Sequence, residues 1–324
     1  MRQYNFNEIL EILNKQIENI EFNEKPQSLF EPISYILALG GKRVRPALAL
    51  MAYNLYKDNL AEVQPIAAAI EIFHNFTLLH DDLMDRADMR RGKDAVHIKW
   101  NDNAAILSGD EMLIEAYKEL AKTRKDVLSP VLDLFSKTAT EVCCGQQYDM
   151  EFEKRMDVTV DEYLEMIRLK TAVLLGCALK EGAMIAGASD QDADALYDFG
   201  INIGLAFQLK DDLLDVYGDP ATFGKKIGGD ILCNKKTYLF INALQDEESY
   251  KKLTPWLEKT DFAEAEKIKA VTEIYNQLNL KEKSEKLIQE YYKKGVSSLN
   301  KVSVGEEQKA ELYKFAENLM FRNS

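Results

Sequence analysis

Cysteine is scarce: Cys143, Cys144, Cys177 and Cys233 are the only four in 324 residues. The adjacent pair does not match zinc-site spacing, and a disulfide framework would need more cysteines in a shorter chain. The thiols are therefore expected to be reduced and the protein cytoplasmic. Positive charge is also short, with 41 Lys and Arg against 54 Asp and Glu and a formal net charge of −13. That leaves no domain-wide basic footprint and excludes nucleic acid as a partner. No run of eighteen apolar residues occurs, and the N-terminus lacks a charged-then-apolar signal, so no stable membrane insertion is expected. Convincing strand patterns and Pro/Ser-rich linkers are missing too. The length would allow two domains, but these absences favour one all-α, single-domain helical bundle over residues 1–324.

What is present centres on Ile70–Arg91, where an apolar stretch runs into Asp81-Asp82-Leu83-Met84-Asp85 and then Arg90-Arg91. Ile70, Phe73 and Leu78 recur at helical spacing. On a helix Asp81 and Asp85 stack one turn apart with Asp82 beside them, and such carboxylates repel unless a cation sits among them. Hard oxygens suit Mg²⁺, which takes one or two carboxylates plus substrate phosphates. A second copy, Asp211-Asp212-Leu213-Leu214-Asp215, closes another apolar helical run, with Gln208 one turn earlier on the same face. A pair of such clusters points to a phosphate-bearing substrate held through metal.

The flanking chain reads as helices over 7–20, 28–39, 47–56, 103–121 and 192–217, with a polar loop over 86–103 and more helix after 238. Ser129-Pro130 is expected to open a helix running to about 150. Thr159 and Glu162 form a capping box for one long helix to about 186, and Ser303 and Glu306 form another box. The cations Lys42, Arg43 and Arg45 follow Gly40-Gly41, a pattern that suits an anion clamp as well as a solvated turn. Asp190, Asp192 and Asp194 mimic a calcium loop, but Ala195 and Ile201 stand where its Gly and Glu belong. The segment with Gly218, Gly224, Lys225, Gly228, Gly229 and Lys235 is cationic but has the wrong spacing for a P-loop.

Taken in order, these stretches resemble the trans-isoprenyl diphosphate synthases of the polyprenyl synthetase family, which make farnesyl and geranylgeranyl diphosphate. The residues carrying the resemblance are GGKRVRP at 40–46, HDDLMD at 80–85, RRG at 90–92, SGD at 108–110 and GQQYD at 145–149. They continue as KT at 170–171, FQLKDDLLD at 207–215 and GKKIGGD with KKT at 224–237. Asn234 departs from the usual glycine, while Lys235 after it is kept. The resemblance implies a bundle around a central cavity with the two acidic clusters across its mouth, and a homodimer. It implies three Mg²⁺ on Asp81, Asp85 and Asp211, with Asp82 and Asp215 as ligands or just behind them and Asp212 among the catalytic carboxylates. Arg90, Lys170, Thr171, Gln208, Lys225 and Lys235 would hold an allylic diphosphate, Lys170 and Lys225 assisting catalysis. Lys42, Arg45, His74 and Arg91 would hold isopentenyl diphosphate.

A prenyltransferase of this kind ionises the allylic diphosphate and lets isopentenyl diphosphate attack the cation. A non-catalytic partner subunit would have lost aspartates or lysines, and this chain keeps them. A terpene cyclase needs no second diphosphate clamp, which GGKRVRP and GKKIGGD supply. Bulky residues below Asp81 are expected to limit product length: Phe76 five residues before it and Phe73 eight before. Their depth favours C15–C20, and a single aromatic five residues before the first motif, with Thr77 following and no insertion in the motif, resembles a geranylgeranyl rather than a farnesyl synthase. An ideal helical wheel turns Phe76 away from the aspartates and leaves Phe73 and Thr77 nearer to them.

Overall fold

A computed structural model describes residues 1–219, 227–258 and 261–321. The described residues are predominantly α-helical. They gather into two compact units. The first comprises Met1–Thr138, Leu174–Tyr197 and Lys301–Leu312; the second comprises Ala139–Val173, Asp198–Asn300 and the chain from Tyr313. Neither unit is contiguous in sequence, so no linker composition could have marked their boundary.

The first unit is built around α4 (Gln64–Met84), against which α1 (Phe6–Glu18), α2 (Gln27–Ala38), α3 (Val44–Asn54) and α6 (Asp102–Leu120) pack. A helix apolar on every side belongs in a core, and every residue from Ile66 to Phe73 is buried. Three consecutive alanines, Ala67 to Ala69, let the neighbours approach. Between α4 and α6 lie a two-residue antiparallel pair, β1 (Met89–Arg90) with β2 (Lys93–Asp94), and the short α5 (Val96–Lys99). No strand was expected there. The reason is the Arg91-Gly92 turn, where φ of 52° and 75° matches the primed turns that close tight hairpins.

The second unit's core is formed by α8 (Val160–Ile167), α10 (Asp190–Tyr217), α12 (Tyr238–Gln245), α13 (Glu247–Glu258), α14 (Glu264–Gln277) and α15 (Leu280–Asn300). Its buried centre includes Tyr163, Leu209, Leu213, Ile241, Leu253, Val271 and Tyr275. A short α11 (Gly229–Leu232) precedes α12, and α16 (Glu306–Phe321) closes the described chain.

Three sequence expectations are corrected. Helix α7 (Lys125–Glu153) starts five residues before Pro130, which lies inside it. In the second turn a proline forfeits one backbone bond, and the buried Val131 and Phe135 outweigh that loss. The Thr159–Glu162 capping box is present, but the helix it starts gives way to a π turn at Arg168–Ala172 before α9 (Val173–Ala186). Ser303 does not cap α16. Its N–H and hydroxyl donate to Asp192 at 2.9 and 2.6 Å, and Gln308 Oε1 accepts from Gly305 N–H instead.

Glu181 on α9 is wholly buried. Burial pushes its carboxyl up to about 8, against a weaker opposing pull from the Cys177 thiol. The folded state thus keeps a proton that the unfolded chain sheds near pH ~4.3. Between those values the native state binds more protons, so stability falls as pH rises, by up to about 1.4 kcal/mol per unit. Glu181→Gln mimics the neutral acid. Urea melts at pH 5.5 and 8.5 should show the wild type losing about 2–4 kcal/mol relative to this variant. Parallel pH profiles would contradict it.

Candidate active site

In the first unit, the turn before α3 sorts its cations by backbone geometry. Arg43 sits at φ 46° and is buried. It forms an ion pair with Glu71 of α4 and donates to the Leu37 carbonyl at 2.9 Å. Asn75 Nδ2 donates to the same Glu71 carboxylate at 2.6 Å. Arg43 is therefore neutralised inside the core and ties the turn to α4. Lys42 lies exposed on one side of it. On the other, Arg45 Nη1 lies 3.1 Å from His74 Nε2.

Guanidinium only donates, so His74 Nε2 accepts and the ring proton is on Nδ1. Burial, then Arg45, Arg91, Arg90 and Arg43, hold His74 well below the usual imidazole range, and it is neutral at pH 7. Burial lowers Arg45 to about 10, which leaves it charged at pH 7. Arg91 reaches the same place over Gly41. A Cβ on Gly41 would come within 2.7 Å of Arg91 Nη2, and φ of 143° also disfavours a side chain there. The structure thus gathers Arg45, His74 and Arg91 from three elements, with Lys42 on the adjoining turn.

Helix α4 ends within the first acidic cluster, at Met84, and Asp85 caps it. The three carboxylates separate. Asp82 turns inward and is 2% exposed. Arg90 Nε lies 3.0 Å from each of its oxygens, and Arg90 Nη2 also bonds Oδ1. Burial raises the Asp82 carboxyl while Arg90 pulls it back down. The cation among these carboxylates is thus supplied by the β1 arginine, which occupies Asp82 with holding the hairpin. Asp81 is part-exposed, 3.9 Å from Arg90 Nη2, and Asp85 is exposed.

Below them, Phe76 packs edge-on against His80 at 4.8 Å and tilted against Phe73 at 5.5 Å between ring centroids. Phe73 is 1% exposed and meets Phe135 of α7 at 5.2 Å. Thr77 donates its hydroxyl back to the His74 carbonyl at 2.8 Å.

In the second unit the π turn carries Lys170 and Thr171. An extra residue in one helical turn rotates the residues after it, and such turns recur at functional sites. Gly145 makes room for it, since a Cβ there would lie 2.3 Å from Lys170 N. One turn later on α7, Asp149 accepts from Lys170 Nζ at 2.7 Å. Thr171 donates to Gln208 Oε1 at 3.0 Å, and Gln208 Nε2 donates to Asp212 Oδ1 at 2.9 Å.

The second oxygen of Asp212 accepts from Tyr163 OH at 2.5 Å. Asp212 is buried like Asp82, and burial lifts it to about 7 despite the opposing charge of Lys235. Asp211 is part-exposed, and Asp215 accepts from Asp230 N–H at 3.0 Å. Lys235 Nζ stands 3.6 Å from Asp230 Oδ1. The structure therefore brings Lys170, Thr171, Gln208, Asp212 and Lys235 into one neighbourhood, and Lys225 lies outside the described residues.

Sequence reasoning missed Glu71, Asn75 and Tyr163. A glutamate inside the apolar run of α4 could have signalled a buried cation partner. Nothing local marks Tyr163, whose partner lies 49 positions away.

Among the described residues no three Asp, Glu, His or Cys side chains converge tightly enough to cage a metal. Mg²⁺ seldom uses all-protein cages and takes part of its shell from phosphate and water. The exposed Asp85 and the part-exposed Asp81 and Asp211 are hard oxygen donors.

The family model described as polyprenyl synthetase matches residues 26–275. A geranylgeranyl diphosphate synthase of Methanosarcina mazei is 45% identical over 223 residues, 68% of this chain and 69% of that protein. A geranylfarnesyl diphosphate synthase of Natronomonas pharaonis is 38% identical over 255 residues, 72% of this chain and 74% of that one. A crystal structure of a geranylgeranyl pyrophosphate synthase superposes with a TM-score of 0.91 at 44% identity, covering 98% of both chains. With the motifs in order and the match spanning most of its length, the chain belongs to the polyprenyl synthetase family.

Proposed function

We propose that this protein is a short-chain trans-prenyltransferase that condenses isopentenyl diphosphate with an allylic diphosphate, C20 geranylgeranyl diphosphate being its main product. The observation that carries this reading is the gathering of Arg45 and Arg91 about a neutral His74. It is a donor-rich anion site distinct from the lysines, Thr171 and Gln208 around Asp212, so two diphosphates have separate partners. The relatives differ in product length, from geranylgeranyl to geranylfarnesyl, which leaves length to the residues below Asp81.

Asp81 and Asp85 of the first cluster and Asp211 and Asp215 of the second are the hard oxygen donors for Mg²⁺, of which the family resemblance implies three per site. When bound, it supplies Lewis-acid neutralisation of the diphosphate charge. Lys170, Thr171, Gln208 and Lys235 bind and orient the leaving diphosphate, with Arg90 set by Asp82 on the other cluster. Lys42, Arg45, His74 and Arg91 fix isopentenyl diphosphate. The apolar side chains of α4 exclude water from the allylic tail. The departing diphosphate is the proposed acceptor of the proton lost in the condensation.

A cytoplasmic location is proposed from the cysteine usage, the four cysteines being free; among the described residues no helix is long and apolar enough to cross a membrane. A homodimer would cover the exposed Ile106, Leu107 and Ile114 of α6.

Arg45→Ala or Lys42→Ala should raise KM for isopentenyl diphosphate by about tenfold or more and leave KM for the allylic primer within about twofold. Initial rates with each substrate varied in turn measure this. Equal losses for both would argue against two diphosphate sites and for a one-substrate cyclase.

A further inference from the structure

Lys267 on α14 is the most deeply buried cation of the second unit's core, at 1% exposure. A buried ammonium is costly unless its donors are used. Its Nζ donates to Asn234 Oδ1 at 2.8 Å and to the Leu232 carbonyl at 3.2 Å, and lies 4.6 Å from the Phe262 ring centroid. Burial lowers its pKa, the expected effect of desolvation on an ammonium.

What it holds is the turn before Lys235. Asn234 has φ of 54°, a left-handed conformation that asparagine tolerates better than most residues. Its side chain faces Lys267, while its carbonyl accepts from Lys236 Nζ at 3.2 Å. Lys235 follows with its N–H on the Asp230 carbonyl at 2.9 Å. Asp230 N–H is in turn bound to Asp215 at 3.0 Å. A continuous chain of contacts therefore runs from α14 through Asn234 to the second acidic cluster.

We propose that Lys267 is a positioning residue for substrate binding: by clasping Asn234 and Leu232 it sets where Lys235 meets the allylic diphosphate. This rests on the function proposed above. Asn234 stands where the resembled family usually has glycine, so the side-chain half of the clasp depends on this chain's own residue.

The test is steady-state kinetics of Lys267→Met, which keeps the packing, and Asn234→Gly, which keeps the turn and removes the acceptor. Each should raise KM for the allylic diphosphate by about tenfold, with KM for isopentenyl diphosphate within about twofold. The double variant should be no worse than Lys267→Met alone, because the contact that Asn234→Gly removes is already lost in it. In a Lys235→Ala background Lys267→Met should have no further effect on the allylic KM. Unchanged allylic KM in both single variants, equal losses for both substrates, or full additivity with Lys235→Ala would overturn the proposal. A wild type that does not condense the two substrates would instead remove the function on which it rests.

Discussion

Asp81→Ala or Asp211→Ala should lower turnover by about a thousandfold or more while the fold survives. The two residues are the part-exposed members of their clusters, whereas Asp82 and Asp212 are buried and clasped. On the proposed function, removing Asp81 or Asp211 takes away a repelling negative charge and a donor for the metal, and neither side chain is buried. The contrast with the neighbouring aspartate sharpens the expectation. Asp82→Ala would leave the Arg90 guanidinium without its buried partner, a loss that usually costs several kcal/mol of stability. Turnover at saturating Mg²⁺, with thermal melts of the same samples, separates the two effects. Near-normal turnover in either the Asp81 or the Asp211 variant would sink the assignment of the clusters to metal.

Product length should change when the aromatic rings below Asp81 are cut back. At the helical rise, Phe76 and Phe73 lie about 7.5 and about 12 Å along α4 from Asp81. An extended prenyl unit is roughly 4–5 Å long, from chain dimensions. Phe73 is pinned from two sides, by Phe76 and by Phe135. Phe76 is slightly more exposed, at 9% against 1%. Phe76→Ala or Phe73→Ala should lengthen the main product by at least one C5 unit, read by chromatography of the dephosphorylated prenols. If neither variant nor the double shifts the distribution, the limit on growth lies elsewhere. The fixed position of Phe73 makes Phe76→Ala the milder of the two, since the ring beneath it stays in place.

Much of this was legible in the sequence because periodicity reports burial directly. Helix α4, its acidic end and the second cluster on α10 could be placed from spacing alone. Asp85 was harder, because a helical wheel continues past the residue where the helix stops. The roles of the second aspartates were legible only in part, Gln208 being placed one turn before Asp212 on its face. Asp82 and Asp212 are identical to their neighbours in chemistry, and only the fold shows that one meets Arg90 and the other Tyr163 and Gln208. The same holds for Arg43, which reads as one of three clamp cations until its left-handed backbone turns it onto Glu71. The π turn at Lys170 breaks the 3.6-residue period on which the reading of one long helix relied. The hairpin was invisible because two-residue strands carry no alternation to detect.

One chain is expected to bind two diphosphates and join their carbon skeletons. Incubating the unmodified protein with labelled isopentenyl diphosphate, an allylic primer and Mg²⁺, followed by chromatography of the dephosphorylated products, tests it most directly. A linear prenol dominated by C20 is expected, with no product when Mg²⁺ is chelated. A cyclised hydrocarbon, or primer recovered unextended with Mg²⁺ present, would contradict it.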